Sequence, residues 1–432
     1  MEATLMKKKS FLGLSKNVRS LGWVSLFNDI ASEMIYPLLP LFLNTVLRAG
    51  VVFIGLIEGI AESASSFLKL FSGWVSDRFQ KRKGLILFGY FLASITRPFI
   101  GLATSAYHVL FLRFFDRIGK GVRSSPRDAL LSQSCREEER GKAFGFQRAM
   151  DHAGAMTGPL IASFLMAVFT KDLRIIFLLA FIPSLFCLWI LWRGVTDVHP
   201  VRNSSRYDSK PSEAINPIGE NRDILSNGVK KEQISPSSPP KLNWRGWDRK
   251  FKYFLLIITL FTLGNSSDAF LLLRAQDLGL NIVTIPILWF LFHLSKTAFS
   301  VPGGALSDRI GRRKVMILAW TVYGLVYLGF AFASTALHVW LLFIVYGLFY
   351  GLAEGTERAW VADLVEESKR GTAYGAYHFC IGIAALPASL LMGLIWKAVG
   401  VQWAFSFGAV MALIAAFLAI VLMGSDQKEK KA

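Results

Sequence analysis

The stretch DRIGKGVRSSPRDALL, residues 116–131, sets Arg117, Lys120, Arg123 and Arg127 beside Asp116 and Asp128. Such side chains grip oxyanions, and taken alone the segment reads as a nucleic-acid patch. Wound as an α-helix at about 100° per residue, these groups and Arg113 fall within an arc of about 140°. Phe114, Phe115, Ile118, Val122, Ala129 and Leu130 fill the opposite face. Upstream, Ser25, Asp29, Glu33 and Tyr36 share a helical face of the opposite sign. Further polar groupings stand at Glu58, Glu62 and Lys69, at Arg148, Asp151 and His152, at Asn265 and Asp268, at His293 and Lys296, and at Glu354, Glu357 and Arg358. The chemistry on offer is proton carriage by carboxyls and anion binding by guanidinium and ammonium groups. Cys135, Cys187 and Cys380 are scattered without metal-ligand spacing, so no metal, cofactor or disulfide framework is expected.

The elements that must position these groups are apolar. Of 432 residues 53% are hydrophobic and only 18% charged, against about a quarter charged in a soluble chain. Runs at 84–104, 175–192, 315–334 and 403–423 approach or exceed the roughly 20 residues that cross a bilayer. Periodicity and length place twelve transmembrane helices at 18–46, 51–76, 84–104, 107–133, 142–169, 173–193, 251–275, 284–306, 315–335, 338–364, 371–398 and 402–423. The lysine-rich start leads into a segment carrying Asp29 and Glu33 without a small-residue cleavage site, so no signal peptide is expected.

The net charge of +18 tests that layout. With both termini cytoplasmic, the inner tails and short inner loops hold twenty-one Lys and Arg, while the outer loops hold Arg48, Lys171, Arg174, Arg274 and Lys397. The basic balance therefore reads as membrane topology, and nucleic acid is not an expected partner. Residues 194–248, rich in Ser, Pro and Asn, lack the apolar content for a core and read as a disordered cytoplasmic linker. It separates an N-terminal six-helix half, 1–193, from a C-terminal half, 249–432.

The halves repeat. Residues 73–83, GWVSDRFQKRK, recur as 304–314, GALSDRIGRRK; 140–145, RGKAFG, recur as 370–375, RGTAYG; Gly154 and Pro159 match Gly382 and Pro387. The offsets of 231, 230 and 228 hold a register over about eighty residues, and the first of them, carried into helix four, sets Arg127 against Arg358. Two such halves place a transport site between them at mid-membrane. On these motifs the chain resembles the major facilitator superfamily across all twelve helices, most closely its bacterial drug and metabolite exporters. The first motif copy departs from the family pattern at Gln80, where glycine is expected. The resemblance implies a gating role for Gly73, Asp77, Arg78 and Arg82 and for Gly304, Asp308, Arg309, Gly311 and Arg313, and a central cavity lined by helices one, four, seven and ten. Physically, the motif glycines would let helices pack closely. On helix five, Gly145, Gly154, Gly158 and Pro159 resemble the antiporter motif, with Ala162 and Ser163 in place of its closing glycine pair. Arg113 stands where the family carries a proton-linked arginine, and Arg117 replaces the glycine expected four residues on.

A charge at mid-bilayer costs at least about 2.5 kcal/mol, so the polar faces must meet protein or a water-filled cavity. Burial makes a carboxyl hold its proton to higher pH, which suits coupling. The proton-coupling candidates are Asp29, Glu33, Glu58, Glu62 and Asp268. The solute-cavity candidates are Tyr36, Arg113, Lys120, Arg123, Arg127, Asn265, Glu354, Glu357 and Arg358. So charged a cavity fits an anionic or zwitterionic metabolite better than an apolar cationic drug. The expected protein is a monomeric, multi-pass transporter of the plasma (inner) membrane that exports small organic solutes by proton-coupled alternating access; the alternative is an uptake symporter for an organic anion or siderophore-like compound. An enzyme is not expected, because His152 and His293 stand without a nucleophile or metal-ligand cluster.

Overall fold

The computed structural model describes residues 14–79, 82–135, 140–197, 247–366 and 370–424. These residues form twelve membrane-crossing helices, and no strand occurs among them. In order they are α1 (Lys16–Ile35, continuing irregularly to residue 46), α2 (Val51–Phe79), α3 (Arg82–Gly101), α4 (Ala106–Gln133), α5 (Arg140–Val168) and α6 (Leu173–Gly194). After residues 198–246, which hold most of the predicted linker and lie outside the described residues, come α7 (Arg249–Asp277), α8 (Ile285–Ile310), α9 (Arg312–Phe332), α10 (Ala336–Asp363), α11 (Arg370–Ala398) and α12 (Val401–Leu422). The even number of crossings brings the first and last described residues, Leu14 and Gly424, to one face.

Length and apolar composition alone qualify eight of the twelve as membrane spans; α1, α4, α5 and α8 fall short. Those four carry much of the charge, and they are stable in a membrane because that charge is turned inward. Glycines set how closely they pack. A Cβ on Gly119 would stand 2.5 Å from the Gly89 carbonyl of α3, and one on Gly121 2.5 Å from the Leu68 Cβ of α2. Helix α4 is thus pinched between two neighbours at a separation only glycine permits. Its N-terminus is capped by Ser105, which accepts from the His108 amide at 3.4 Å, and α10 is capped alike by Thr335 and the His338 amide, also at 3.4 Å.

Helices α1 and α7 break near mid-membrane. Pro37 and Pro40 remove backbone donors after Ile35, and the α1 backbone passes through a tighter and then a wider turn before ending at Val46. In α7 the run Asn265-Ser-Ser-Asp268 interrupts the helix. Short polar side chains offer the backbone alternative partners there: the Ser267 amide donates to Ser389 Oγ of α11 at 3.2 Å.

The halves meet along α2 against α11 and α5 against α8. At the end away from the termini the contact is nearly backbone to backbone. Cβ positions on Gly55, Gly59 and Gly393 would stand 2.3 Å from the Ser389 carbonyl oxygen, 2.9 Å from Leu386 Cα and 2.8 Å from the Val51 carbonyl oxygen.

At the termini face the second copy of the repeated motif ties four helices together. Asp308 and Ser307 of α8 both hold Arg312, whose Nε also reaches Asp363 of α10 at 3.4 Å. Arg313 donates to the carbonyls of Ala419 (3.0 Å), Ile420 (2.8 Å) and Gly424 (2.6 Å) at the end of α12. Gly311 turns α8 into α9 at φ 95°, a conformation that favours glycine. Arg309 lies in the last turn of α8 and Arg82 is buried at the start of α3. The side chains of Asp77 and Arg78 and the surroundings of Gly73 lie outside the described residues. One expectation is corrected: a Cβ on Gly304 meets nothing within 4 Å, so close packing is not what that glycine supplies.

Candidate functional site

A polar cavity of about 390 Å³ lies between the halves at mid-membrane. Side-chain exposure rises along its walls toward the termini face. It runs from 8% at Arg113 through 12% at Arg117 to 18% at Arg127 on α4, and from 15% at Asp151 to 43% at Arg148 on α5. The cavity therefore opens toward the termini, and the glycine contacts of α2 and α11 close it at the other end.

Of the predicted residues, Asp29, Glu33, Tyr36, Glu62, Arg113, Lys120, Arg123, Arg127, Asp268 and Glu354 line this cavity. Glu58, Asn265, Glu357 and Arg358 are not among its walls. Glu58 is engaged by Arg113, whose Nε and Nη2 donate to the two carboxylate oxygens at 3.0 Å each. Asn265 accepts from the Tyr323 hydroxyl at 3.2 Å where α7 breaks, and Glu357 accepts from the Tyr377 hydroxyl at 2.6 Å. The expected division of labour among helices also changes. Helix α7 contributes only Asp268 and α10 only Tyr350 and Glu354, while α5 supplies Arg148, Asp151 and His152 and α8 supplies Trp289, Phe292, His293 and Lys296.

On the N-terminal side a closed ionic network is buried. Asp116 receives Arg97 at 3.2 Å and Arg113 at 3.4 Å; Arg113 holds Glu58, and Arg97 also donates to the Asn28 side-chain oxygen at 3.0 Å. Every charge in it has a partner, so its contribution is rigidity. Arg117 and Arg123 stand apart. Arg117 reaches Asp116 only at 4.0 Å, and its Nε is buried without a hydrogen-bond partner. Arg123, 5% exposed, lies over the Tyr90 ring at 4.3 Å with its Nη1 unpartnered. Lys120 lies between them on the helix.

Helix α5 sets the carboxyls of α1. A Cβ on Gly154 would stand 2.9 Å from the Asp29 Cβ, and one on Gly158 3.0 Å from the Glu33 Cβ. The predicted motif thus falls on the α1–α5 contact, except that Gly145 meets nothing within 4 Å. Asp29 accepts from Asn28 at 2.8 Å and Asp151 from Gln147 at 2.8 Å. Glu33 reaches across to the other half: it accepts from the Trp289 indole at 2.8 Å and lies 3.9 Å from His293 Nε2. Lower down, Arg148 of α5 meets Glu354 of α10 at 3.4 Å, and Lys296 of α8 meets it at 2.9 Å.

The wall from the C-terminal half sets aromatic rings among its charged groups, a feature that composition alone does not reveal, and Tyr36 of α1 joins them. Tyr36 and Trp289 lie 5.3 Å apart, Trp289 and Phe292 4.8 Å, and Phe292 and Tyr350 5.4 Å. Trp289, His293 and Lys296 recur at the helical spacing i, i+4 and i+7, the one signal that pointed to this face. Beside the wall, Asp268 accepts from the Tyr346 hydroxyl at 2.6 Å.

The family model described as Major Facilitator Superfamily matches residues 21–273 and again 253–432. An uncharacterized MFS-type transporter of Methanocaldococcus jannaschii is 35% identical over 415 residues, 95% of each chain. A multidrug resistance protein, MdtH, of Salmonella typhi is 27% identical over 179 residues, 40% of this chain and 44% of that one. Among solved structures, the nucleoside transporter NupG superposes with a TM-score of 0.73 at 13% identity, over 94% of this chain and 100% of that one. A POT family transporter in complex with 5-aminolevulinic acid superposes with a TM-score of 0.74 at 13% identity, over 96% of this chain and 97% of that one. At such identities the structural likeness speaks for the fold.

Proposed function

This chain belongs to the Major Facilitator Superfamily and moves small solutes across a membrane as a multi-pass protein; we propose that it works as a proton-coupled exporter of the inner membrane, with both termini cytoplasmic. One observation carries this reading. Glu33, held in α1 of the first half, accepts the indole N–H of Trp289 in α8 of the second, with His293 next to it. A carboxyl between two bodies that must move apart ties its protonation to their relative position, because a ligand biases a conformational equilibrium by its differential affinity for the two states. A proton arriving from outside and a solute arriving from the cytoplasm compete for Glu33 and its neighbour Asp29, and competition for one group produces exchange. The unit is a single chain, since one chain supplies every wall of the cavity.

Inside-out vesicles holding a proton gradient, reported by a pH-sensitive dye, test this. Adding a pool of amino acids, organic acids, nucleosides and amines should release protons from wild-type vesicles. Asp29→Asn and Glu33→Gln should abolish that release while sparing downhill counterflow of whichever component is responsible. Proton uptake into the vesicles instead of release would mark the uptake symporter and end the export reading. Cysteines placed at Arg48 and Lys16 fix orientation: in intact cells the first should label from outside and the second should not.

A further inference from the structure

We propose that the cavity selects a zwitterionic solute with a flat apolar body, its oxyanion held by Arg117 and Arg123, its ammonium held between Glu33 and Asp268, and its body laid on the aromatic wall. The inference rests on the reading of this cavity as the solute site.

The two poles are separate and differently built. The Arg97–Asp116–Arg113–Glu58 network is closed and offers a solute nothing. Arg117 and Arg123 are what it leaves over: two guanidinium groups that line the cavity, Arg123 buried and the Arg117 side chain 12% exposed, each with a buried N–H that has no hydrogen-bond partner. A carboxylate or phosphate supplies acceptors to such donors, and guanidinium matches oxyanion geometry. At the other pole, Trp289 and Tyr346 each occupy one oxygen, Oε2 of Glu33 and Oδ1 of Asp268. Both are acceptor-only groups when ionised, and they flank rings whose faces attract a cation. Tyr36 stands between the poles, with the Arg113 guanidinium 5.3 Å from its ring on one side and Trp289 5.3 Å away on the other.

Each single-charge alternative leaves something buried and unmatched. A cation leaves Arg117 and Arg123 without acceptors, and an anion leaves Glu33 and Asp268 facing an apolar body. A site built around polar groups rejects analogues that lack the complementary group. The same arrangement makes the ammonium the natural competitor of the proton at Glu33.

Three probes share an indole body and differ only in charge: L-tryptophan, indole-3-propionate and tryptamine. Titrated onto the full chain in lipid nanodiscs, tryptophan should bind about ten- to a hundred-fold more tightly than either analogue. Arg117→Gln should erase the preference over tryptamine alone, and Asp268→Asn the preference over indole-3-propionate alone. Equal or tighter binding of a single-charge analogue to wild-type protein overturns the inference, as does the absence of binding by all three; neither result touches the vesicle assay for export. Conversely, the expected ranking without proton release upholds the solute class and removes the export reading.

Discussion

The two halves solve one packing problem with opposite chemistry. Capping residues and buried positions of α4 and α10 coincide at an offset of 230 residues, Ser105 with Thr335 and His108 with His338. The sequence offset of 231 had set Arg127 against Arg358; the folded register sets it against Glu357, because caps and burial fix the rotation of a helix and a motif two helices earlier does not. In that register Arg97, Arg113 and Asp116 of the first half stand where Tyr327, Phe343 and Tyr346 stand in the second. Across α2 and α8, where the offset is 231, Glu58 stands where Trp289 does. A four-member ionic network thus has an aromatic counterpart, with ring centroids 6.3 Å apart for Tyr327–Tyr346 and 6.5 Å apart for Phe343–Tyr346 and Trp289–Phe343. Ion pairs bring strict geometry and leave Arg117 beside them, with a buried N–H that has no hydrogen-bond partner, on the cavity wall. Rings bring area and adaptability. The first half thus presents a densely charged wall, and the second interleaves Trp289, Phe292 and Tyr350 with Asp268, Lys296 and Glu354.

The largest expected effect comes from breaking the ionic side. Asp116→Ala leaves Arg97 unpaired against a carboxylate and Arg113 with Glu58 alone in a buried setting, and should cost about 3–5 kcal/mol. Thermal unfolding of purified protein would show it as a large fall in Tm or as failure to accumulate; a melt like the wild type would remove the structural role given to the network. Phe343→Leu, at the position equivalent to Arg113, should cost less than about 1.5 kcal/mol, because an apolar site repacks. Arg113→Lys should cost more than that, since lysine cannot reproduce the paired contact with Glu58.

Intermediate effects belong to the glycines. A methyl at Gly154 meets the Leu26 carbonyl oxygen at 2.5 Å, whereas its repeat partner Gly382 meets the Ser66 Cβ at 3.0 Å. Gly154→Ala should therefore destabilise by about 1–3 kcal/mol and disturb the setting of Asp29, with Gly382→Ala well below it. Parallel melts and proton-release traces would separate the two, and equal losses would contradict the asymmetry. Tyr346→Phe removes one hydrogen bond to Asp268 and should cost about 1 kcal/mol, and a loss as large as that of Asp116→Ala would mean the aromatic side is no more tolerant than the ionic one. The smallest change in stability is expected from Asp308→Asn, whose side chain is 65% exposed, at no more than about 1 kcal/mol. Its place at the junction of α8, α9 and α10 predicts slower exchange at unchanged abundance, and wild-type rates would reduce the motif to a mark of topology.

Twelve crossings, their boundaries to within a few residues, and the repeat were legible because each depends on local sequence: runs of apolar residues, their periodicity and recurring short motifs. Which face of the charge-bearing helices is polar was legible too, since a single helix imposes its own period on its side chains. Which polar faces meet was not. Arg113 and Glu58 lie 55 residues apart and Glu33 and Trp289 256 apart, and their pairing follows from helix rotations that close packing at Gly119, Gly121, Gly154 and Gly158 sets. Hence α5 and α8, more than α7 and α10, complete the wall that α1 and α4 begin. Trp289, Phe292 and Tyr350 read in sequence as ordinary apolar filling, because an aromatic residue facing lipid, core or cavity leaves the same trace in composition. Only the folded chain, by choosing what lies opposite each ring, decided that these three face the cavity.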